Sequence, residues 1–439
     1  MPMYFLYNIL LILATPFIAA YSMIRSWRRG KRREGIAERF GVLDAGLASV
    51  RAGQKTVWVH AVSVGETMAV KPLLKALKDS LPGIRIVLSN VTETGRSIAE
   101  KTAEIDHCIY LPLDYRFTVS RALNRVRPAL VIIVETEIWP NFLRVTREMG
   151  IPALLVNGRI SDRSFGRYMK LRWFFRPVLS NFAAFCMQTA EDARRIIAIG
   201  AEPKRVHVAK NLKYDIPVIA PTVEKKRELR GICKVPDRLM VITAGSTHAG
   251  EEETLLSAYR HLLAEGLECF LVLAPRHPER AGEVAEIIRN SGMPFTVCSM
   301  LDRREGLFIP GEVLLVDTVG ELMRFYAISD MVFVGGSLAM TGGHNILEPA
   351  SLGVPVLFGP HMHNFREPAA LLLAYGGGFQ VKDGEELTAV LKSLLDDPEK
   401  LRATGENGMR LLLDNSGATE LQMEVIKQVL GTWCKIGEH

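Results

Sequence analysis

The stretch Thr56-Val57-Trp58-Val59-His60-Ala61-Val62-Ser63-Val64-Gly65-Glu66 decides the fold. A short apolar run rich in valine stops at a turn containing Ser63 and Gly65, and passes into a helical pattern over residues 67–78. Buried strand, turn and helix in that order form the repeating unit of parallel sheets covered by helices. Outward from it the same unit recurs. Further strands are expected at 84–89, 108–113, 129–134, 153–156 and 182–187, and a second series at 240–244, 269–273, 313–316, 331–334 and 354–358. Between the two series lie residues 214–226, with Pro217 and Pro221, which read as a linker.

A length of 439 residues suits two sizeable domains better than one. The expected division is an anchor and basic segment over 1–33, an N-terminal domain over 34–213, the linker over 214–226 and a C-terminal domain over 227–439. Both domains read as doubly wound Rossmann-like α/β halves, with a ligand cleft expected between them at the carboxyl ends of the strands. With 48% hydrophobic and 23% charged residues, the composition excludes a disordered, fibrous or polytopic membrane protein. The six cysteines have no C-x-x-C spacing and read as reduced thiols, with neither disulfides nor zinc.

The formal net charge of +6 raises the question of nucleic acid, and the location of the charge answers it. Residues 1–39 hold seven basic residues (Arg25, Arg28, Arg29, Lys31, Arg32, Arg33, Arg39) against Glu34 and Glu38, so the rest of the chain is nearly neutral and no nucleic-acid partner is expected. Residues 1–24 carry no charged side chain, and about 20 apolar residues suffice for a membrane-length helix. The basic cluster follows that run, and Trp27 stands where an interfacial residue belongs. A retained anchor is expected, spanning or partly embedded, with everything after it on the cytoplasmic side of the inner membrane.

Several strand-to-helix turns carry chemistry. Glu66 stands at a helix start, where the helix dipole favours an ionised carboxylate able to accept a proton; the plainer alternative is a Glu that only stabilises the first turn. Glu135 and Glu137 follow an apolar strand. In the second half, Arg276 follows a strand in Ala274-Pro275-Arg276-His277-Pro278 and suits a phosphate. The pairs Gly335-Gly336 and Gly342-Gly343 let backbone approach a phosphate ahead of a helix, with Glu348 placed to accept from ribose hydroxyls. No P-loop or G-x-G-x-x-G spacing supports ATP or NAD.

Taken together, HAVSVGE, VETEIWP, NLKYD, GSTHAGEE, APRHPER, DTVGELM and GGHNILEPA, in that order after an apolar N-terminus, resemble the Kdo (3-deoxy-D-manno-octulosonic acid) transferases of lipopolysaccharide synthesis. The resemblance covers essentially the whole chain. It implies a GT-B glycosyltransferase that uses CMP-Kdo as donor and the lipid A precursor lipid IVA as acceptor, inverts the anomeric carbon, and needs no metal or other cofactor. It places the general base on Glu66, transition-state stabilisers on Glu135 and Lys213, and the CMP contacts on Pro275, Arg276, Val319, Gly320, Glu321, Asn345, Ile346, Leu347 and Glu348. The rivals are another GT-B sugar-nucleotide transferase or epimerase, and an inactive membrane-bound nucleotide-sugar binding protein. One stretch lies outside these motifs. Residues 157–177 carry Arg159, Arg163, Arg167, Lys170, Arg172 and Arg176 against Asp162. Arg163, Arg167 and Lys170 recur at helical spacing and are expected to meet the membrane or the acceptor's phosphates.

Overall fold

A computed structural model describes residues 2–28, 35–48 and 54–436, with side chains left undescribed at 2, 18–28, 45, 48 and 432–436. It resolves into two units: residues 1–215 together with 416–439, and residues 216–415.

Unit 1 holds β1 (Thr56–His60), β2 (Arg85–Asn90), β3 (His107–Tyr110), β4 (Leu130–Val134), β5 (Ala153–Gly158), β6 (Ala184–Met187) and β7 (Val206–Val208). They form one sheet in the order β3-β2-β1-β4-β5-β6-β7, all pairs parallel. Both faces are covered, and the residues of each strand alternate between two cores. Trp58, Val131, Ile133 and Leu155 join Leu123, Phe142 and Ile196 on one face. Val57, Val59, Ile132 and Val134 join Leu73, Leu74 and Leu77 on the other. Chain order reverses between β1 and β4, the kind of switch point at which open α/β sheets bind their ligands.

Unit 2 holds β8 (Met240–Thr247), β9 (Cys269–Pro275), β10 (Phe295–Val297), β11 (Val313–Leu315), β12 (Met331–Val334), β13 (Val356–Phe358) and β14 (Gly378–Gln380). The order β10-β11-β9-β8-β12-β13-β14, again parallel throughout, puts its reversal between β8 and β12.

The domain boundaries differ from expectation at both ends of unit 2. The linker assigned to 214–226 is structured: Tyr214 and Asp215 belong to unit 1, and the helix Val223–Ile232 opens within unit 2. The last helix, Ala418–Ile436, belongs to unit 1, where Met423, Val425 and Ile426 complete the core against Leu73 and Leu77. Asp215 caps it by accepting from the N–H groups of Gly417 at 2.8 Å, Ala418 at 3.2 Å and Thr419.

The N-terminal apolar run forms the helix Pro2–Arg28. Among the described residues no helix is long and apolar enough to cross a membrane, so the expected spanning anchor is not carried by them. Instead, one stripe of this helix docks on unit 1. Met3 and Tyr4 are buried, Tyr7 Oη donates to Asp114 Oδ2 at 2.8 Å, Asn141 Nδ2 donates to Asn8 Oδ1 at 2.7 Å, and the Thr15 and Tyr115 hydroxyls meet. The opposite stripe, Phe5, Leu6, Ile9, Leu10, Ile12, Leu13 and Phe17, is exposed. Polar groups therefore face the protein and apolar groups face outward, the inverse of a soluble surface helix. The side chains of Trp27 and of the basic cluster from Arg25 to Arg33 lie outside the described residues.

Candidate functional site

Glu66 is the third residue of the helix Val64–Ser80, at the carboxyl end of β1. The Val62 N–H donates to its Oε2 at 2.6 Å and the Ser63 hydroxyl to its Oε1 at 2.9 Å, so the carboxylate does close the first turn. It was expected to be held ionised by the helix terminus. The balance runs the other way. Burial raises its pKa to about 7; the hydrogen bonds from Val62 and Ser63 offset only part of this, and the negative Glu135 and Glu137 add to the rise.

Glu135 directly follows β4, whose residues pair with β1. Its backbone sits at φ 57°, a left-handed conformation that costs a non-glycine residue roughly 1 to 3 kcal/mol. Its N–H is fixed on the Val156 carbonyl at 2.9 Å, and its Oε1 lies 3.8 Å from Lys213 Nζ. Burial and Glu135 also raise the pKa of Glu137. Lys213 stands in the turn Leu212–Tyr214, which two asparagines hold: Asn211 Oδ1 accepts from the Lys213 N–H and Asn157 Oδ1 from the Leu212 N–H, each at 3.0 Å. Glu66, Glu135, Glu137 and Lys213 thus gather at the reversal point of the unit 1 sheet, three carboxylates with one cation. Sequence reasoning missed Asn157, a buried residue at φ 53° at the end of β5; an Asn closing an apolar strand was the available signal.

In unit 2, Pro275 ends β9 and is buried, while Arg276 beyond it is exposed and its guanidinium has no hydrogen-bond or ion-pair partner among the described residues. Val319 is 80% exposed and Gly320 takes φ 89°. Glu321 is already engaged by Arg324 at 2.8 Å and by the Thr318 hydroxyl. Asn345 Nδ2 donates to Glu348 Oε1 at 3.0 Å while its Oδ1 accepts from the Leu347 N–H at 3.1 Å; Ile346 and Leu347 are buried.

The first glycine pair does not act as the sequence suggested. The N–H groups of Gly336, Ser337, Leu338 and Ala339 converge on a carboxylate of the protein itself, Glu251, at 2.7, 3.0, 2.9 and 3.1 Å, and the His248 N–H adds a fifth bond at 2.9 Å. Glu251 is buried, so the loop's anion cradle is filled from within and is closed to a phosphate. The helix after Gly342-Gly343 is Leu347–Ser351, five residues, too short to aim a substantial dipole.

Arg163, Arg167 and Lys170 lie on the helix Asp162–Lys170, which has no buried residue, and none of the three has a partner among the described residues. In the next helix Trp173 is 59% exposed, whereas Phe174 and Phe175 pack on the core and Phe174 meets Tyr7 of the N-terminal helix with ring centroids 5.9 Å apart.

Two parallel-sheet units, each with its polar groups collected where the strands end, give the GT-B fold, which glycosyltransferases share with sugar-nucleotide epimerases. Solved structures share this fold at 14% identity: a UDP-GlcNAc 2-epimerase from Neisseria meningitidis bound to UDP-GlcNAc (TM-score 0.55, covering 85% of this chain and 100% of that one), and a glycosyltransferase from Rickettsia africae ESF-5 (TM-score 0.53, 87% and 99%). Residues 34–216 match the family described as 3-Deoxy-D-manno-octulosonic-acid transferase (kdotransferase). The 3-deoxy-D-manno-octulosonic acid transferase of Haemophilus influenzae is 34% identical over 432 residues, 97% of this chain and 98% of that protein. The chain belongs to the Kdo transferase family.

Proposed function

We propose that this transferase moves Kdo from CMP-Kdo to lipid IVA by direct displacement, with inversion and without a metal. A hydroxyl oxygen of the acceptor sugar forms a bond to Kdo C2 as the bond from C2 to the phosphate oxygen breaks; the hydroxyl proton passes to Glu66 and CMP carries away the bonding pair. The observation that carries this reading is the raised pKa of Glu66, about 7, on a carboxylate grouped with Glu135 and Lys213. Such a group is ionised in part at neutral pH and is a stronger base than an ordinary carboxylate, which suits general base catalysis. Glu135 and Lys213 would stabilise developing charge, and unit 2 would hold the nucleotide through Arg276, Asn345, Glu348 and the loop Val319, Gly320, Glu321. Purified enzyme given CMP-Kdo and lipid IVA should yield a Kdo-bearing lipid by mass spectrometry. Turnover of UDP-sugars in place of CMP-Kdo, or CMP binding with no transfer, would overturn the reading.

The acceptor's lipid and the outward apolar stripe of the N-terminal helix support a place on the cytoplasmic face of the inner membrane. We propose that this helix lies in the interface plane, its stripe from Phe5 to Phe17 in the acyl boundary, with Trp173 at the rim and Arg163, Arg167 and Lys170 towards anionic headgroups or the acceptor's phosphates. Replacing these three cations with Gln should weaken liposome binding by about 1 kcal/mol per charge and raise the KM for the lipid acceptor, leaving CMP affinity unchanged. Liposome binding and acceptor KM both at wild-type values would reduce the patch to a solvated face.

A further inference from the structure

Unit 2 contains a histidine contact that the nucleotide-binding motifs do not account for. His248 follows β8 and His344 lies in the loop before the helix Leu347–Ser351; their Nε2 atoms are 2.8 Å apart, and the rings are parallel within 5°. A third ring, His277, stands edge-on to His248 with centroids 6.1 Å apart. An Nε2 to Nε2 contact of this length needs one proton between the two atoms, so one ring donates and the other accepts. Both rings are half-buried, and burial with the neighbouring Arg276 and His277 lowers the pKa of His344 to about 4; burial likewise lowers that of His248.

The charged groups around the pair are unevenly committed. From the helix Glu251–Ala264, the carboxylates of Glu251 and Glu252 come near. Glu251 is consumed by five backbone N–H groups, and Glu252 by the Thr247 hydroxyl at 2.8 Å and Arg280 at 2.9 Å. Arg280 is also tied to Glu283 at 2.8 Å. From the loop after β9 come His277 and Arg276, the latter without a partner among the described residues, and His363 reaches Gly342 in the loop that carries His344. What remains is a set of protonable nitrogens and one guanidinium with no uncommitted carboxylate among the groups that act on the pair. Such a set offers an arriving anion a guanidinium and protonable nitrogens with no competing carboxylate.

We infer that the His248–His344 pair is a proton-linked anion latch: it takes up a proton when an anionic group of the nucleotide-sugar donor arrives beside Arg276, and so positions that group. The inference rests on the reading of unit 2 as the donor site and goes beyond it in assigning the histidines a role. The proton goes to Nδ1 of the ring that donates through Nε2; the link between the rings persists while the pair becomes a cation. Burial, with repulsion from Arg276 at His344, keeps the pair neutral; an arriving anion offsets that repulsion and favours the protonated form. When CMP departs the charge is no longer balanced and the proton leaves. The anion is a phosphate oxygen or the sugar-acid carboxylate.

Calorimetry on the full chain at pH 7.5, in two buffers of different ionisation enthalpy, counts the protons exchanged on binding. CMP, cytidine and a CMP-linked 2-keto sugar acid are the probes. With an anionic probe the latch predicts net uptake of a fraction of a proton, larger when the titration is repeated at pH 6.5, where a bound phosphate responding to nearby cations would release protons instead. Uptake with CMP identifies the phosphate; uptake only with the sugar acid identifies the carboxylate; cytidine should give none. His248→Gln should abolish uptake and weaken the anionic probe by roughly tenfold while leaving cytidine unaffected. Wild-type chain that binds CMP and the sugar acid without uptake overturns the latch and leaves the donor site standing. Failure of the wild-type chain to bind either overturns both.

Discussion

Each unit places a glutamate at the start of the helix that follows its first strand, and the two are used in opposite ways. Glu66 in unit 1 accepts two hydrogen bonds and is left half-buried among other carboxylates, which lifts its pKa to about 7. Glu251 in unit 2 accepts five backbone N–H groups and is buried beneath the loop that follows β12. The same topological position thus yields a carboxylate with a raised pKa in one unit and a structural keystone in the other. What separates them is how many donors the next loop supplies. Where backbone N–H groups saturate the oxygens, the carboxylate is committed to the fold; where they do not, it stays chemically available.

The contrast breaks most visibly by removing Glu251. Glu251→Ala leaves five N–H groups without their acceptor and should cost roughly 3 kcal/mol or more of stability, read as an early unfolding transition in denaturant. An unchanged midpoint would mean that the loop does not depend on its internal anion. Glu66→Gln should do the reverse, lowering transfer by at least about a hundredfold, equivalent to about 2.7 kcal/mol, while CMP still binds. Near-normal turnover would leave Glu66 with its capping role alone. In unit 2, Arg276→Ala and Glu348→Ala should each weaken CMP binding by about 1.5 to 3 kcal/mol, the range for charged hydrogen bonds; calorimetry with both at wild-type affinity would move the nucleotide elsewhere.

The smallest expected effect is in pH dependence. With Glu66 as the proposed base, acting in its ionised form, kcat/KM should rise with pH through an inflection near 7. Glu135→Gln, which removes a like charge, should move that inflection down by less than about one unit; an unmoved profile would separate the two carboxylates electrostatically. Stability has the opposite sign. The folded chain binds more protons at Glu66 than the unfolded chain between the ordinary value of 4.5 and about 7, so this group's contribution falls as pH rises through that window, and Glu66→Gln should flatten that part of the curve.

The long buried strands were legible because their apolar runs are continuous. β7, β10 and β14 were not: each has three residues, mostly half-exposed, and none forms an apolar run. The cluster of Glu66, Glu135 and Glu137 was legible as strand-end motifs, whereas the raised pKa of Glu66 was not, since its burial and the closeness of Glu135 arise only from the pairing of β1 with β4. The Gly335-Gly336 reading failed for a related reason. A glycine-rich turn advertises free N–H groups, and nothing local reveals that a carboxylate 84 residues upstream of Gly335, after β8, has taken them. The N-terminal helix misled in another way: hydropathy reports composition, while the hydrogen bonds of Tyr7 and Asn8 to the body depend on which stripe faces it.

The return of the last helix to unit 1 also sets an order of assembly on the ribosome. Unit 2 is continuous in sequence and is fully synthesised once residue 415 emerges, whereas the core around Leu73 and Leu77 must wait for Met423 and Ile426. The domain begun first is therefore finished last, in contrast to the usual N-terminal-first sequence. A nascent chain stalled before Ala418 would hold a complete unit 2 and a unit 1 whose core around Leu73 and Leu77 is still unfilled, and chaperone occupancy during synthesis should peak in that interval.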